Sequence, residues 1–552
     1  MSGWRHFRLI APALCLALVA GCGAEPDRGS TLRSGDREAN PGAPSERGTH
    51  PSVPSTGALP PATPATLAEY VTARARASAG TAYTPPTETA SEALRELDYD
   101  GYRSIRFRPE AAVWRGRSAF EVQLLHPGFL YGKPVRIHLV ETESIVDLPF
   151  DTRSFSYDGP SAHLEGAVPD GAGYSGFRVH YPLNTPGVPD EVVVFQGASY
   201  FRLVGPGQVH GLSARGLGID IGGAEEFPDF TEFWLVRPEA GASTLVFHAL
   251  LDSPSVAGAY RFELEPGSAT VLRVDARLFA RTDAPRIGVA PLSTMFLYGA
   301  NGDGSFDDYR PEVHDSDGLL MRTRVDEWIW RPLSNRERPS LTALLDADPQ
   351  GFGLVQRARD FDRYLDLEAL YHRRPSAWVR IEGDWGPGSV QLFETPSRSE
   401  FNDNIAASWV PEEGFAAGSE RRYRYEILTF DARLDTQTLA QVERTRIGWD
   451  ALPGEASPPP RNRRRFVVDF AGGPLTELDT TAVVEAVGET SAGEISDLRA
   501  TPLPSGLGWR ASFRLAPNGH RPSDMRLLLE LDGERLSETW SYLWDPNAAR
   551  TP

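Results

Sequence analysis

The sequence predicts an all-β protein made of two stacked-sheet units, a large one followed by a small one. Three observations carry this. From Asp98 onward, short apolar or alternating runs recur, among them SIRFRP, AFEVQLLH, EVVVFQGASYFRLV, TEFWLVRP, STLVFHALLD and ATVLRVDARLFA, with Gly, Pro, Asp and Asn between them. Period-two alternation buries one face of a strand, and the residues in between are those that turn the chain. Long helical runs are missing between these strands, which favours an antiparallel sandwich over a parallel α/β fold. The same texture then restarts beyond a stretch rich in Pro, Gly and Arg, with RRFVVDFAG, TAVVEAVGE, GWRASFRLA, MRLLLELDG and TWSYLW.

The elements follow in chain order. Residues 1–22 predict an export signal: Arg5 and Arg8, an apolar run over 9–20, then Gly21-Cys22. That run is too short to span a bilayer as a mature helix. Val19-Ala20-Gly21-Cys22 matches a bacterial lipobox, in which Cys22 is lipidated and becomes the mature N-terminus; a plain cleavable signal is the alternative. Residues 23–66 carry almost no large apolar side chains and predict a flexible tether. Residues 67–452 form the large β-sandwich, preceded by helices over 67–78 and 90–97. Short helices are also expected over 340–347 and 365–371. Residues 453–465 read as a linker. Residues 466–552, a compact set of short strands with regular turns, predict a small immunoglobulin-like β-sandwich.

With 552 residues and 40% apolar content, the chain has enough material for a large core. Its net charge of -19 argues against nucleic acid as a partner, which calls for clustered Lys and Arg. The one basic cluster, Arg461 with Arg463, Arg464 and Arg465, follows three prolines and reads as a solvated linker. Cys15 and Cys22 are the only cysteines, and both lie in the export signal. Cysteine nucleophiles, thiolate zinc sites and iron–sulfur clusters are therefore excluded from the folded part, which holds together without disulfides.

Two dense acidic knots stand out in this strand-rich background, RPEVHDSDG over 310–318 and EFNDN over 400–404. Crowded acids repel each other and lose hydration when buried, so a fold that keeps them needs a reason. A pair of carboxyls can break a glycosidic bond, one donating a proton and the other activating water. The competing reading is structural, with the acids capping turns or pairing with Arg310 and Arg331. Glu400 lies three residues before Asp403, a range at which one charge can raise the other's pKa. His314 adjoins Asp315, and either orients it or bonds a sugar hydroxyl. Tyr309 and Arg310 either donate to hydroxyls or neutralise the acids. Trp328, Trp330, Trp385 and Trp409 flank the knots, and flat rings stack on the apolar faces of sugars; core filling is the alternative. Asn301, Asp303, Ser305, Asp307 and Glu312 fall at calcium-loop spacing, but Phe306 stands where Gly is needed and Pro311 precedes the Glu. No metal and no cofactor is expected.

Several ordered motifs together resemble one family, the periplasmic glucan biosynthesis proteins G and D (OpgG/OpgD, also called MdoG/MdoD). They include Phe227-Pro228-Asp229-Phe230, the runs over 250–255, 307–318, 327–333 and 400–405, and Gly383-Asp384-Trp385-Gly386. The likeness extends over about 67–544. It implies that the large sandwich is galactose-mutarotase-like and that the chain acts in making osmoregulated periplasmic glucans with a β-1,2-linked backbone. It further implies an inverting endo-β-1,2-glucanase, with Asp403 as general acid, Asp315 as general base and Glu400 in support. Proton movement through ordered water and substrate hydroxyls is part of that expectation. A non-catalytic assembly factor serving a membrane glucan synthase, or a transglycosylase, remains the alternative. The lipobox and tether depart from the soluble periplasmic members. They predict a lipid-anchored periplasmic protein, and Gly23 after the cysteine leans towards the outer membrane.

Overall fold

A computed structural model describes residues 62–300, 306–451 and 453–547. The predicted signal with Cys22, nearly all of the tether, and Asn301, Asp303 and Ser305 lie outside the described residues.

The fold is all-β. A ten-stranded and a fifteen-stranded sheet dominate the described residues, and a four-stranded sheet completes the C-terminal part. The two large sheets pack through alternating apolar residues. Phe177 of one sheet meets Phe233 of the other at 5.0 Å between ring centroids, and Phe195 meets Phe247 and Phe262 at 5.3 Å each. Offset and edge-on rings of this kind fill an inter-sheet core densely. Helix Leu67–Ala79 lies on the outer face of the fifteen-stranded sheet. Its Leu67, Val71 and Ala75, spaced four apart on one face, bury against Trp234, Leu250, Ala259 and Phe279.

Three local expectations are corrected. The helix expected over 90–97 is a single turn, Glu92–Arg95. Residues 340–347 are not helical. Ser340–Ala347 is the edge strand of the ten-stranded sheet, paired with Pro387–Glu394 along its whole length. Its Leu and Ala residues suit a helix, but the register to a neighbouring strand overrides that preference. Residues 365–371 are also not a helix. Leu365 and Leu370 adopt φ of 55° and 51°. The Asp366 carboxylate takes the backbone N–H groups of Glu368 and Ala369 at 2.8 and 2.6 Å, competing with helix formation.

The stretch 453–465 is not a spacer between two bodies. It joins strands Gln441–Trp449 and Arg464–Ala471, which pair antiparallel within the four-stranded sheet. The Pro- and Arg-rich composition marks a hairpin connection, and Arg461 closes it by stacking on Trp449 at 3.8 Å. The small unit therefore begins at Gln441. Its other layer belongs to the fifteen-stranded sheet. Strand Thr539–Trp544 runs parallel to Trp328–Pro332, with Ile329 opposite Thr539 and Trp330 opposite Trp540.

Candidate active site

Strand Ile287–Thr294 of the ten-stranded sheet is followed by Met295 and Phe296, and this short backbone piece organises the site. The Asp315 N–H donates to the Met295 carbonyl at 2.9 Å. The Asn404 side chain grips the next residue from both sides: its Oδ1 accepts from the Phe296 N–H at 2.9 Å, and its Nδ2 donates to the Phe296 carbonyl at 3.0 Å. The Asp315 backbone and Asn404, the residue after Asp403, are thus moored to consecutive residues, which brings the two acids, distant in sequence, within electrostatic reach. Asn404 is the amide that the EFNDN motif needs next to its acid.

Asp315 is buried, 3% exposed, and ion-paired through Oδ1 with Arg374 Nη1. Its pKa is raised, first by burial and further by the charge of Asp403, while Arg374 and Arg202 oppose the shift. Asp403 is half-buried and its Oδ2 accepts from Ser213 Oγ at 3.3 Å. Glu400 faces elsewhere. Its Oε2 accepts from the Tyr371 hydroxyl at 2.6 Å and from Arg310 Nη1 at 2.9 Å. The carboxylate electrostatically coupled to Asp315 is Asp403, and Glu400 is held by a cation and a phenol.

Arg310 is a junction. Besides Glu400 it binds Asp308 at 2.7 Å and Asp366 at 2.8 Å, tying three loops together. These bonds raise its pKa, the hydrogen bond to Asp308 foremost. Tyr309 points outward, 74% exposed. Tyr371 and Arg374 link the two acidic knots: the Arg374 guanidinium lies 4.2 Å from the Tyr371 ring centroid, one residue bonding Asp315 and the other Glu400.

His314 has no exposed surface, so a direct bond to a sugar hydroxyl is ruled out. Gln356 Nε2 donates to the His314 carbonyl at 2.9 Å, which leaves Gln356 Oε1 to accept from His314 Nδ1 at 3.0 Å. On the other side, Nε2 faces Glu312 at 3.0 Å and Asp317 at 3.4 Å. Both ring nitrogens thus face acceptors, an arrangement that favours the protonated ring. Burial would lower its pKa, but the charges of Asp317 and Glu312 outweigh that and raise it. Glu312, His314 and Asp317 are the one group of metal-ligand spacing found among the described residues. Arg363 at 2.7 Å from Glu312, together with the protonated ring, already satisfies it.

The four tryptophans are corrected. Trp328 and Trp330 are 3% exposed, Trp385 8% and Trp409 0%. Trp385 packs on Tyr423 and Tyr425 in the inter-sheet core, and Trp330 covers the Arg357 guanidinium. None offers a face to a sugar. Gly318 follows from this packing, because a Cβ there would lie 2.4 Å from the Trp330 ring.

Sequence reading missed the outward row of the ten-stranded sheet. Tyr200 and Arg202 alternate with the buried Phe201, and Ser213 and Arg215 flank Ala214 on the paired strand. Arg215 is held by Glu225 and Ser293, and Asp403 adds to the charge that raises its pKa against burial. Polar residues at alternate positions were the available signal. Arg374 gave none, since its partner lies in another loop. Tyr200 and Arg202 also line a cleft of about 760 Å³. Tyr102, Phe129 and Tyr131 line it together with Arg178, His180 and Glu191. Burial would raise the Glu191 pKa, but bonding to His210 and the charge of Arg178 hold it at about 2, so it stays ionised.

Fold and site together define an all-β sandwich protein with an open cleft, two of whose lining residues, Tyr200 and Arg202, interact electrostatically with Asp403 and Asp315. The chain belongs to the family described as "Periplasmic glucan biosynthesis protein, MdoG", whose model matches residues 67–544. It is 43% identical over 484 residues to a glucans biosynthesis protein G of Ralstonia nicotianae, covering 86% of this chain and 95% of that one. Similar proteins of the same name occur in Bradyrhizobium diazoefficiens, 42% identical over 86% of this chain and 93% of that one, and in Vibrio cholerae, 42% identical over 85% of each.

Proposed function

We propose that the protein is an inverting endo-β-1,2-glucanase that trims the backbone of periplasmic glucans, with Asp403 as general acid and Asp315 as general base. The observation that carries this reading is that the Asp315 backbone and the Asn404 side chain, next to Asp403, are held by Met295 and Phe296, so that the charge of Asp403 acts on Asp315. Asp403, half-buried next to Ser213, is the more open of the two, which suits it to donate to a leaving oxygen. Asp315 is enclosed, so it acts on water through intervening hydroxyls, and its raised proton affinity makes it a stronger base than an ordinary aspartate. The cleft, lined by aromatic rings and by Arg178, Gln123 and Glu191, suits sugar rings and their hydroxyls. Incubation with linear β-1,2-glucan tests this: wild type shortens the polymer, and Asp403→Asn and Asp315→Asn do not. An intact polymer after prolonged incubation with wild type removes the hydrolase.

One observation favours a second reading, a glucan-binding assembly factor working with a membrane synthase. Asp315 is sealed and already ion-paired with Arg374. Under that reading both Asn variants restore glucan production in a deletion strain. A lipid on Cys22 at the periplasmic face of the outer membrane belongs to the same proposal. The mass of the mature N-terminal peptide checks the lipid, and membrane fractionation checks the location.

A further inference from the structure

We infer that Glu538, in the small C-terminal unit, is a positioning residue for the segment that bears Asp315. Glu538 has no exposed surface, and Arg357 is only 6% exposed at its side chain. The two form a bidentate pair, Nη1 to Oε1 at 2.6 Å and Nη2 to Oε2 at 2.9 Å. A buried fork of this kind fixes both partners in angle as well as distance. The segment that enters the small unit and its first strand hold Glu538 in turn. Gln437 Nε2 and the Val442 N–H donate to it at 2.5 and 2.7 Å. Glu538 also immediately precedes Thr539–Trp544, the strand that joins the two units. The Trp330 ring covers the guanidinium at 3.6 Å, and Nη1 donates to the Val442 carbonyl at 2.9 Å.

The other end of the tie reaches the site. With its side chain fixed, Arg357 aims its backbone N–H at Asp317 Oδ2 at 2.5 Å, and the Ala358 N–H joins it at 2.7 Å. Asp317 Oδ1 faces the His314 ring at 3.4 Å. Asp315 lies between these two anchored residues. A second contact from the small unit, Arg446 Nη1 to the Ala300 carbonyl at 2.6 Å, touches the loop that precedes the 310–318 knot. The small unit thus clamps the acidic segment through Asp317 and Ala300. Removing one partner of a buried ion pair leaves the other uncompensated and free to rearrange. Arg357 then loses its aim, and Asp315 loses the enclosure that raises its pKa.

The kinetic arm of the test rests on the hydrolase reading; the exchange arm does not. Glu538→Gln keeps the shape and removes the charge. Arg357→Lys keeps the charge and removes the fork, and serves if Glu538→Gln does not fold. In whichever variant melts cooperatively, amide hydrogen exchange over 313–317 is expected to rise. A base shifted out of position is expected to lower kcat about fivefold or more. KM stays within about twofold, because the cleft is untouched. The acidic limb of the kcat/KM profile moves to lower pH, a shift that a merely less stable protein does not show. If wild type leaves β-1,2-glucan intact, the hydrolase reading fails and exchange alone decides the coupling. A folded variant with wild-type exchange over 313–317 overturns the inference, as does wild-type kcat with an unmoved limb in an active enzyme.

Discussion

Asp315 and His314 are neighbours in sequence with opposite electrostatic duties. Burial and Asp403 raise the Asp315 pKa, so the acidic limb of kcat/KM is expected above the ordinary aspartate value of about 3.9. In the proposed role of base it must be ionised, so activity falls as pH drops through that limb; a limb at or below about 3.9 contradicts the assignment. His314 has the reverse sign. Its folded pKa is raised, so its stabilising contribution is complete below its unfolded value of about 6.5 and disappears as pH rises through the folded one. His314→Gln is expected to remove that part of the pH dependence of unfolding and to cost about 1–3 kcal/mol at pH 6 through unsatisfied carboxylates. The acids could be read from sequence because they crowd within two short motifs. Arg374 and Tyr371, which hold Asp315 and Glu400, could not, because each bond bridges separate loops. The tryptophans misled for the opposite reason. Proximity in sequence to the acids said nothing about which face of the strand they occupy.

Strand alternation made most elements readable, including the pairs that build the inter-sheet core. It failed where local preference and tertiary pairing disagree, as in Ser340–Ala347. That edge strand leaves Leu345 83% exposed. Leu345→Lys is therefore expected to change unfolding free energy by no more than about 0.5 kcal/mol. Phe262, fully buried between Phe195 and Phe247, gives the contrast, with Phe262→Ala costing about 3–5 kcal/mol. Denaturant titration of both variants decides whether 340–347 is an edge strand. A large loss for Leu345→Lys contradicts the pairing described.

Across the whole molecule, composition predicted two units but not how they join. The Pro- and Arg-rich stretch looked like a spacer, whereas the joint is a shared sheet edge at Ile329–Trp330 and Thr539–Trp540. A chain ending before Gln441 strips the partners from Trp330 and Arg357, so the large unit alone is expected to unfold at lower denaturant than the full chain. Coincident unfolding of both units by tryptophan fluorescence and far-ultraviolet dichroism in the full chain fits one cooperative body.

The most direct measurement follows the anomeric configuration of sugars released from linear β-1,2-glucan by the purified protein, using proton NMR from the first minutes. Shorter chains whose new reducing ends appear first as the α-anomer, absent with Asp315→Asn or Asp403→Asn, are the expected result. A polymer left whole, first products in the β-configuration, or undiminished cleavage by either variant contradicts hydrolysis by this pair of carboxyls.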